Sequence, residues 1–182
     1  MIAGKLDQLQ QTDVTGVTRA DALIAVGLGE IRVSRDPAAV LVSFGLGSCV
    51  AVSAYDLAAR VGGMMHVVLP YCSNKESARK FPGKYADIGM PMLIRELENH
   101  GAVRTRMQVK IAGGASVIHA ATFDGLLDMG QKNVVAVRAA LEREGIPIVS
   151  FDTGGNRGRS VWLLVGTGAM TVRTASGATV YP

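Results

Sequence analysis

The chain has 182 residues, 48% of them hydrophobic, with one Trp, four Phe and a formal charge of +4 at pH 7. That length suits one domain whose core is built from Val, Leu, Ile, Ala and Met. The scattered Lys and Arg come without a basic helix or aromatic ladder, which argues against nucleic-acid binding, and no apolar run is long enough to span a bilayer.

Residues 1–22 are polar and without periodicity, and are expected to form a flexible tail ahead of a single domain over 23–182. Strands are expected over 25–33, 39–44, 50–56 and 61–69, the last two rich in Val. A polar loop follows over 71–83. The segment 85–99 reads as a helix with Ile88, Met92, Leu93 and Leu97 as its apolar stripe and Gly101 as its C-terminal cap. Pro91 inside it marks a kink or a late start. A strand over 107–112 ends at Gly113-Gly114. A second helix spans 128–144, with Val134, Val137 and Ala140 or Leu141 in period, and stops at Gly145. A strand over 146–151, a loop over 152–159 and a hairpin of 160–165 with 169–173 around Gly166-Thr167-Gly168 complete the chain. Several strands precede the first helix. That order predicts an α+β fold with mixed, largely antiparallel sheets and two main helices.

Two cysteines, Cys49 and Cys72, do not make a disulfide framework, and Met1 to Asp13 lacks the apolar stretch of a secretory signal. A cytoplasmic location with reduced thiols is expected. Cys49 closes the run Phe44-Gly45-Leu46-Gly47-Ser48-Cys49, and His66 lies in Gly62-Gly63-Met64-Met65-His66-Val67-Val68-Leu69-Pro70. If Asp56 and Val61 close a hairpin around a four-residue loop, opposed residues have numbers summing to 117. Cys49 and His66 then share a face as diagonal neighbours, roughly 7–8 Å apart at the backbone. A three- or five-residue loop places them on opposite faces. A thiol beside an imidazole is the minimum for nucleophilic acyl transfer. The alternative is a core cysteine and a core histidine, both common in apolar strands. The flexible turn before Cys49 makes the backbone N–H groups of Gly47 and Ser48 candidate oxyanion donors.

His66, Cys72, His100 and His119 lack the short paired spacings of a zinc site, and Gly45-x-Gly47 leads into a strand, unlike a dinucleotide fingerprint. No metal and no cofactor are expected, and Cys72 reads as a bystander. Arg157 and Arg159, in Asp152-Thr153-Gly154-Gly155-Asn156-Arg157-Gly158-Arg159, either belong to a tight turn, solvated or paired with Asp152, or rim a cleft that receives an acidic partner. A distant third reading makes 152–159 an anion-binding loop.

The blocks around Cys49 and His66 resemble the chemoreceptor glutamine deamidase family, CheD. So do Pro82-Gly83-Lys84-Tyr85-Ala86-Asp87, Lys110-Ile111-Ala112-Gly113-Gly114-Ala115, Gly130-Gln131-Lys132-Asn133-Val134 and the stretch from Asp152 to Arg159. The resemblance implies an α/β sandwich with a cysteine-hydrolase site like that of toxin deamidases. It implies conversion of glutamine side chains on the cytoplasmic helices of methyl-accepting chemoreceptors to glutamate, with release of ammonia through a thioester. The family's catalytic cysteine and histidine fall on Cys49 and His66. Its third member, a threonine, falls on Ser43, which keeps the hydroxyl but loses the β-branch that stiffens χ1. Ser43 is then expected to hydrogen-bond the second ring nitrogen of His66. The family works beside a CheC-type phosphatase, so a docking module that regulates such a partner is the alternative function.

Overall fold

The computed structural model of the protein describes residues 22–116 and 129–182. All of the expected tail but Ala22 lies outside the described residues, as do His119 and Asp128. The described strands form two five-stranded sheets. Sheet one runs β1 (Ala22–Ala25), β3 (Ala39–Leu46), β8 (Arg159–Leu164), β9 (Met170–Thr174), β10 (Gly177–Tyr181) in spatial order. Sheet two runs β2 (Ile31–Ser34), β5 (Val61–Val67), β4 (Val50–Asp56), β6 (Gln108–Gly113), β7 (Ile148–Thr153). Only β1 with β3 and β6 with β7 pair in parallel. The α+β sandwich with largely antiparallel sheets is as the sequence predicts.

Alternation along β4 explains the layering. Val50, Val52 and Ala54 face two helices, α2 (Ala86–Asn99) and α3 (Met129–Arg143), and share a core with Met90, Leu93, Ile94, Val137 and Leu141. Ala51 points the other way, into a second core between the sheets with Leu41, Met64, Ala112, Val161 and Leu163. A strand buried on both faces reads as a near-continuous apolar run, and residues 50–55 show this with Ser53 as the one polar interruption.

Several expectations change. The single strand over 25–33 is two strands in different sheets, β1 and β2, separated by a turn at residues 26–30. Gly29 sits there at φ +75°, where a Cβ would press to 2.9 Å from the Cβ of Phe81. The loop over 71–83 contains a short helix, α1 (Lys75–Lys80), whose N-cap Asn74 accepts a hydrogen bond from the Ser77 N–H. Six residues are too few for a periodic signal. In α2 the stripe is Met90, Leu93, Ile94 and Leu97, while Ile88 and Met92 face outward. Pro91 stays within the helix on its exposed side. His100 caps α2, with Gly101 following at φ +95°. β10 was not expected; a two-residue turn at Ala175-Ser176 folds it back on β9.

The β4–β5 hairpin is clamped at its closed end by Asp56, whose side chain is fully buried. The carboxylate accepts hydrogen bonds from the Arg106 guanidinium at 2.8 Å and from the N–H groups of Val103, Ala58 and Ala59. Burial alone would raise this carboxyl. The Arg106 bonds and then the backbone N–H groups outweigh it and bring the pKa down from 3.8 to about 2. A group with a depressed folded pKa stabilises above its unfolded value and loses that contribution as pH falls through the folded one. The shift corresponds to about 2 kcal/mol. In urea denaturation, the wild type should lose that amount as pH falls from 3.8 to about 2. Asp56→Asn should be the less stable protein at neutral pH and should lack this acid loss.

Candidate active site

The candidate residues gather at the end of the sandwich where the chain makes three of its four described crossings between the sheets, at residues 26–30, 47–49 and 154–158. In the central hairpin Asp56 pairs with Val61, Ala51 with His66 and Val50 with Val67, the register that a four-residue loop requires. Cys49 packs against the inter-sheet core beside Ala51. Cys49 and His66 therefore point to the same face.

Two irregularities bring the loops into place. Residues 39, 41 and 43 of β3 point into the sandwich until a bulge after Ser43, with Gly45 at φ +66°. The extra residue re-aims the strand so that Leu46 points inward and the chain enters the Gly47-Ser48 turn. On β6, Gly113 at φ +123° lies directly on the Cys49 carbonyl, and any Cβ there would collide with that oxygen. The carbonyls of the turn are held inward: Gly47 accepts from the Ala115 N–H at 2.8 Å and Cys49 from Gly114 at 2.7 Å.

His66 is 3% exposed. Its backbone pairs with the 26–30 turn, N–H to the Glu30 carbonyl and carbonyl to the Gly29 N–H. Its Nδ1 lies 3.2 Å from the carbonyl oxygen of Val26. A carbonyl only accepts, so Nδ1 carries the proton and Nε2 keeps its lone pair. Nε2 is buried and has no partner. Ser43 is fully buried, and its hydroxyl donates to the same Val26 carbonyl at 3.0 Å instead of bonding the imidazole as expected. The Val26 N–H in turn donates to the Val42 carbonyl at 2.7 Å. Ser43 thus meets His66 through one shared oxygen.

Burial pushes the Cys49 thiol above its ordinary value of 9.0. Burial also holds the His66 imidazole below 6.5, partly offset by the Val26 hydrogen bond. Both shifts favour the uncharged forms. The resting pair is a neutral thiol and a neutral imidazole, not a preformed ion pair. Cys72 is a free thiol whose N–H donates to the Asp87 carboxylate.

The two arginines of the 152–159 loop part company. Arg157 is exposed. Arg159 is 6% exposed and turned inward, donating to the carboxylate and carbonyl of Asp152 and to the Gly154 carbonyl. Tyr181 donates to the same carboxylate at 3.0 Å. Arg159 therefore does not stand on a rim; it holds the loop whose Gly154 N–H donates to the Gly113 carbonyl beside Cys49. Two features of the site have contacts that the motif reading does not reveal. The Val26 carbonyl is backbone. Asn133 is a fully buried amide on the apolar face of α3, with Nδ2 2.9 Å from the Ser48 carbonyl and 3.0 Å from that of Val68. Its marks in the sequence are its place in the Gly130-Gln131-Lys132-Asn133-Val134 block and a polar residue in step with Ala136, Val137 and Ala140.

With this geometry in view, the comparisons with known proteins decide the family. A family model described as CheD chemotactic sensory transduction matches residues 68–174. The chain belongs to the CheD family. It is 46% identical over 152 residues to a probable chemoreceptor glutamine deamidase CheD of Symbiobacterium thermophilum, covering 84% of this chain and 92% of the relative. It is 43% identical over 152 residues to the chemoreceptor glutamine deamidase CheD of Thermotoga maritima, with coverage of 84% and 92%. Among solved structures it is similar to a Bacillus licheniformis hypothetical protein, YfiH, with a TM-score of 0.40 and 17% identity over 83% of this chain and 67% of that one. That last likeness is too loose to bear on the chemistry. Among the described residues of this CheD family member, no helix is long and apolar enough to cross a membrane.

Removing a buried guanidinium that holds a carboxylate leaves the partner unpaired. Arg159→Ala should destabilise the fold by about 3 kcal/mol, whereas Arg157→Ala should stay within about 0.5 kcal/mol of wild type. Urea denaturation midpoints measured at neutral pH check both.

Proposed function

We propose that this chain is a protein-glutamine deamidase that converts chemoreceptor glutamine side chains to glutamate, with Cys49 as nucleophile and His66 as general base. The observation that carries the reading is the placement of His66: Nδ1 bound to a carbonyl and an unpartnered Nε2 on the face shared with Cys49. The family membership supplies the substrate class.

The chemistry follows from the neutral resting pair. Nε2 takes the Cys49 proton as sulfur attacks the carboxamide carbon, so negative charge appears on sulfur only as the bond forms. The imidazolium that results is stabilised through Nδ1–H by the Val26 carbonyl, which Ser43 steadies. The tetrahedral oxyanion is received by the backbone N–H groups of Gly47 and Ser48, whose turn is braced by its inward-held carbonyls. Nε2–H then protonates the departing nitrogen, and ammonia leaves a thioester. Water, deprotonated by the same nitrogen, attacks the thioester; glutamate is released and the thiol restored. No net proton is gained or lost by the pair.

The substrate glutamine sits on a large helical partner, so loops must frame the site. The three sheet crossings at this end do this, and exposed Arg157, on the last of them, would meet acidic residues flanking the glutamine. The same face would receive a CheC-type phosphatase if this chain docks one.

The test is ammonia release from a purified receptor cytoplasmic fragment, with the accompanying amide-to-acid mass change located by peptide mapping. Cys49→Ala should abolish both while leaving receptor binding in place. His66→Asn should lower kcat by at least about 10²-fold. The competent imidazole is the neutral one, lost as pH falls through its lowered pKa, so the acid limb of kcat/KM should lie below pH 6.5. Ammonia release by Cys49→Ala equal to wild type would sink this mechanism.

A further inference from the structure

Past the rung Val50↔Val67 the central hairpin comes apart. The N–H groups of Val68 and Leu69 turn to the Lys84 carbonyl, while the carbonyls of Gly47 and Cys49 turn to the 114–115 segment. Cys49 stands at the mouth of this fork, and His66 lies just inside the opposite prong. The Asn133 amide fills the gap. Its two N–H bonds go to one carbonyl from each prong, that of Ser48, which precedes Cys49, and that of Val68, two residues after His66. The side chain acts as the next rung of the ladder, supplied by α3 instead of by backbone.

The surroundings show what the amide contributes. Asn133 is 0% exposed, and its neighbours on that face of α3 are Ala136, Val137, Ala140 and Leu141. Its Oδ1 has no partner. A buried amide with an orphaned oxygen is a poor choice for packing alone. Its distinguishing property is a planar pair of donors that spans two acceptors. A hydroxyl cannot span both carbonyls, and an apolar side chain offers no donor.

We propose that Asn133 is a positioning residue whose amide fixes the width of the β4–β5 fork and so holds the Cys49 thiol within reach of His66 Nε2. This rests on the Cys49–His66 mechanism above. Without the clip, the hydrogen bonds that tether the Gly47-Ser48-Cys49 turn among the described residues come from the β6 side, and the thiol loses its fixed relation to the imidazole.

The test reads the thiol directly, without a receptor. In a Cys72→Ser background, alkylation of Cys49 by iodoacetamide is followed by mass spectrometry across pH for wild type, His66→Asn, Asn133→Leu and Asn133→Ser, with Tm measured for each. Asn133→Ser keeps a small polar side chain and serves if the Leu variant does not fold. Near neutral pH the Asn133 variants should react as slowly as His66→Asn, at least about tenfold below wild type, and all should converge at alkaline pH where the thiolate forms unaided. On receptor fragments the same variants should lose kcat with KM near wild type. Asn133 variants with a lowered Tm but a wild-type alkylation profile would overturn the clip while leaving the mechanism standing. A His66→Asn profile identical to wild type would overturn the thiol–imidazole pair, and the clip with it.

Discussion

One carbonyl oxygen organises the site. Val26 lies where the chain leaves sheet one for sheet two, its N–H held by β3 and its oxygen receiving both the Ser43 hydroxyl and His66 Nδ1. An oxygen with two lone pairs accommodates both donors. The consequence reaches across the layers: a side chain of β3 and a side chain of β5 are fixed relative to each other through a third segment. The protonated nitrogen of His66 is settled by that contact, and with it the nitrogen that keeps a free lone pair. A carboxylate in the same place would stabilise a charged imidazole at rest. A neutral carbonyl offsets only part of the effect of burial, which keeps the His66 value depressed and favours the uncharged ring.

The site departs from a thiol activated in advance. Reactive cysteines commonly owe a lowered pKa to nearby positive charge. Here burial raises Cys49. The buried guanidinium at this end of the sandwich, that of Arg159, is bonded to Asp152 and the loop carbonyls. Under the proposed mechanism, activation depends on geometry, on a base in reach at the moment of attack, more than on electrostatic preloading. That places the demand on the braces: Gly113 seated on the Cys49 carbonyl, Asn133 in the fork, and the Val26 oxygen behind His66.

What was legible in the sequence was whatever local periodicity fixes. The β4–β5 hairpin could be registered to the residue because Asp56-x₄-Val61 sets parity and both strands are mostly apolar. The two long helices announced themselves by period, although the α2 stripe shifted to Met90 and Ile94, because packing on the sheet and not hydrophobicity alone decides which face turns inward. The split of 25–33 was hidden, since both halves are apolar and extended and only tertiary pairing assigns them to different sheets. Arg159 was ambiguous for a similar reason: a loop arginine reads the same whether it faces water or a buried carboxylate. Ser43 was found through family resemblance, but its partner was not, because a main-chain acceptor leaves no mark in the residue pattern.

The division of the site between the sheets has a consequence for biogenesis. Cys49 and His66 lie on one hairpin, local in the chain and able to form early. Val26 and Ser43 belong to the facing layer. A hairpin that has formed before the layers meet holds sulfur and imidazole without the oxygen that selects the ring's proton position. The proton position of the ring is therefore fixed only in a sandwich whose two layers have met.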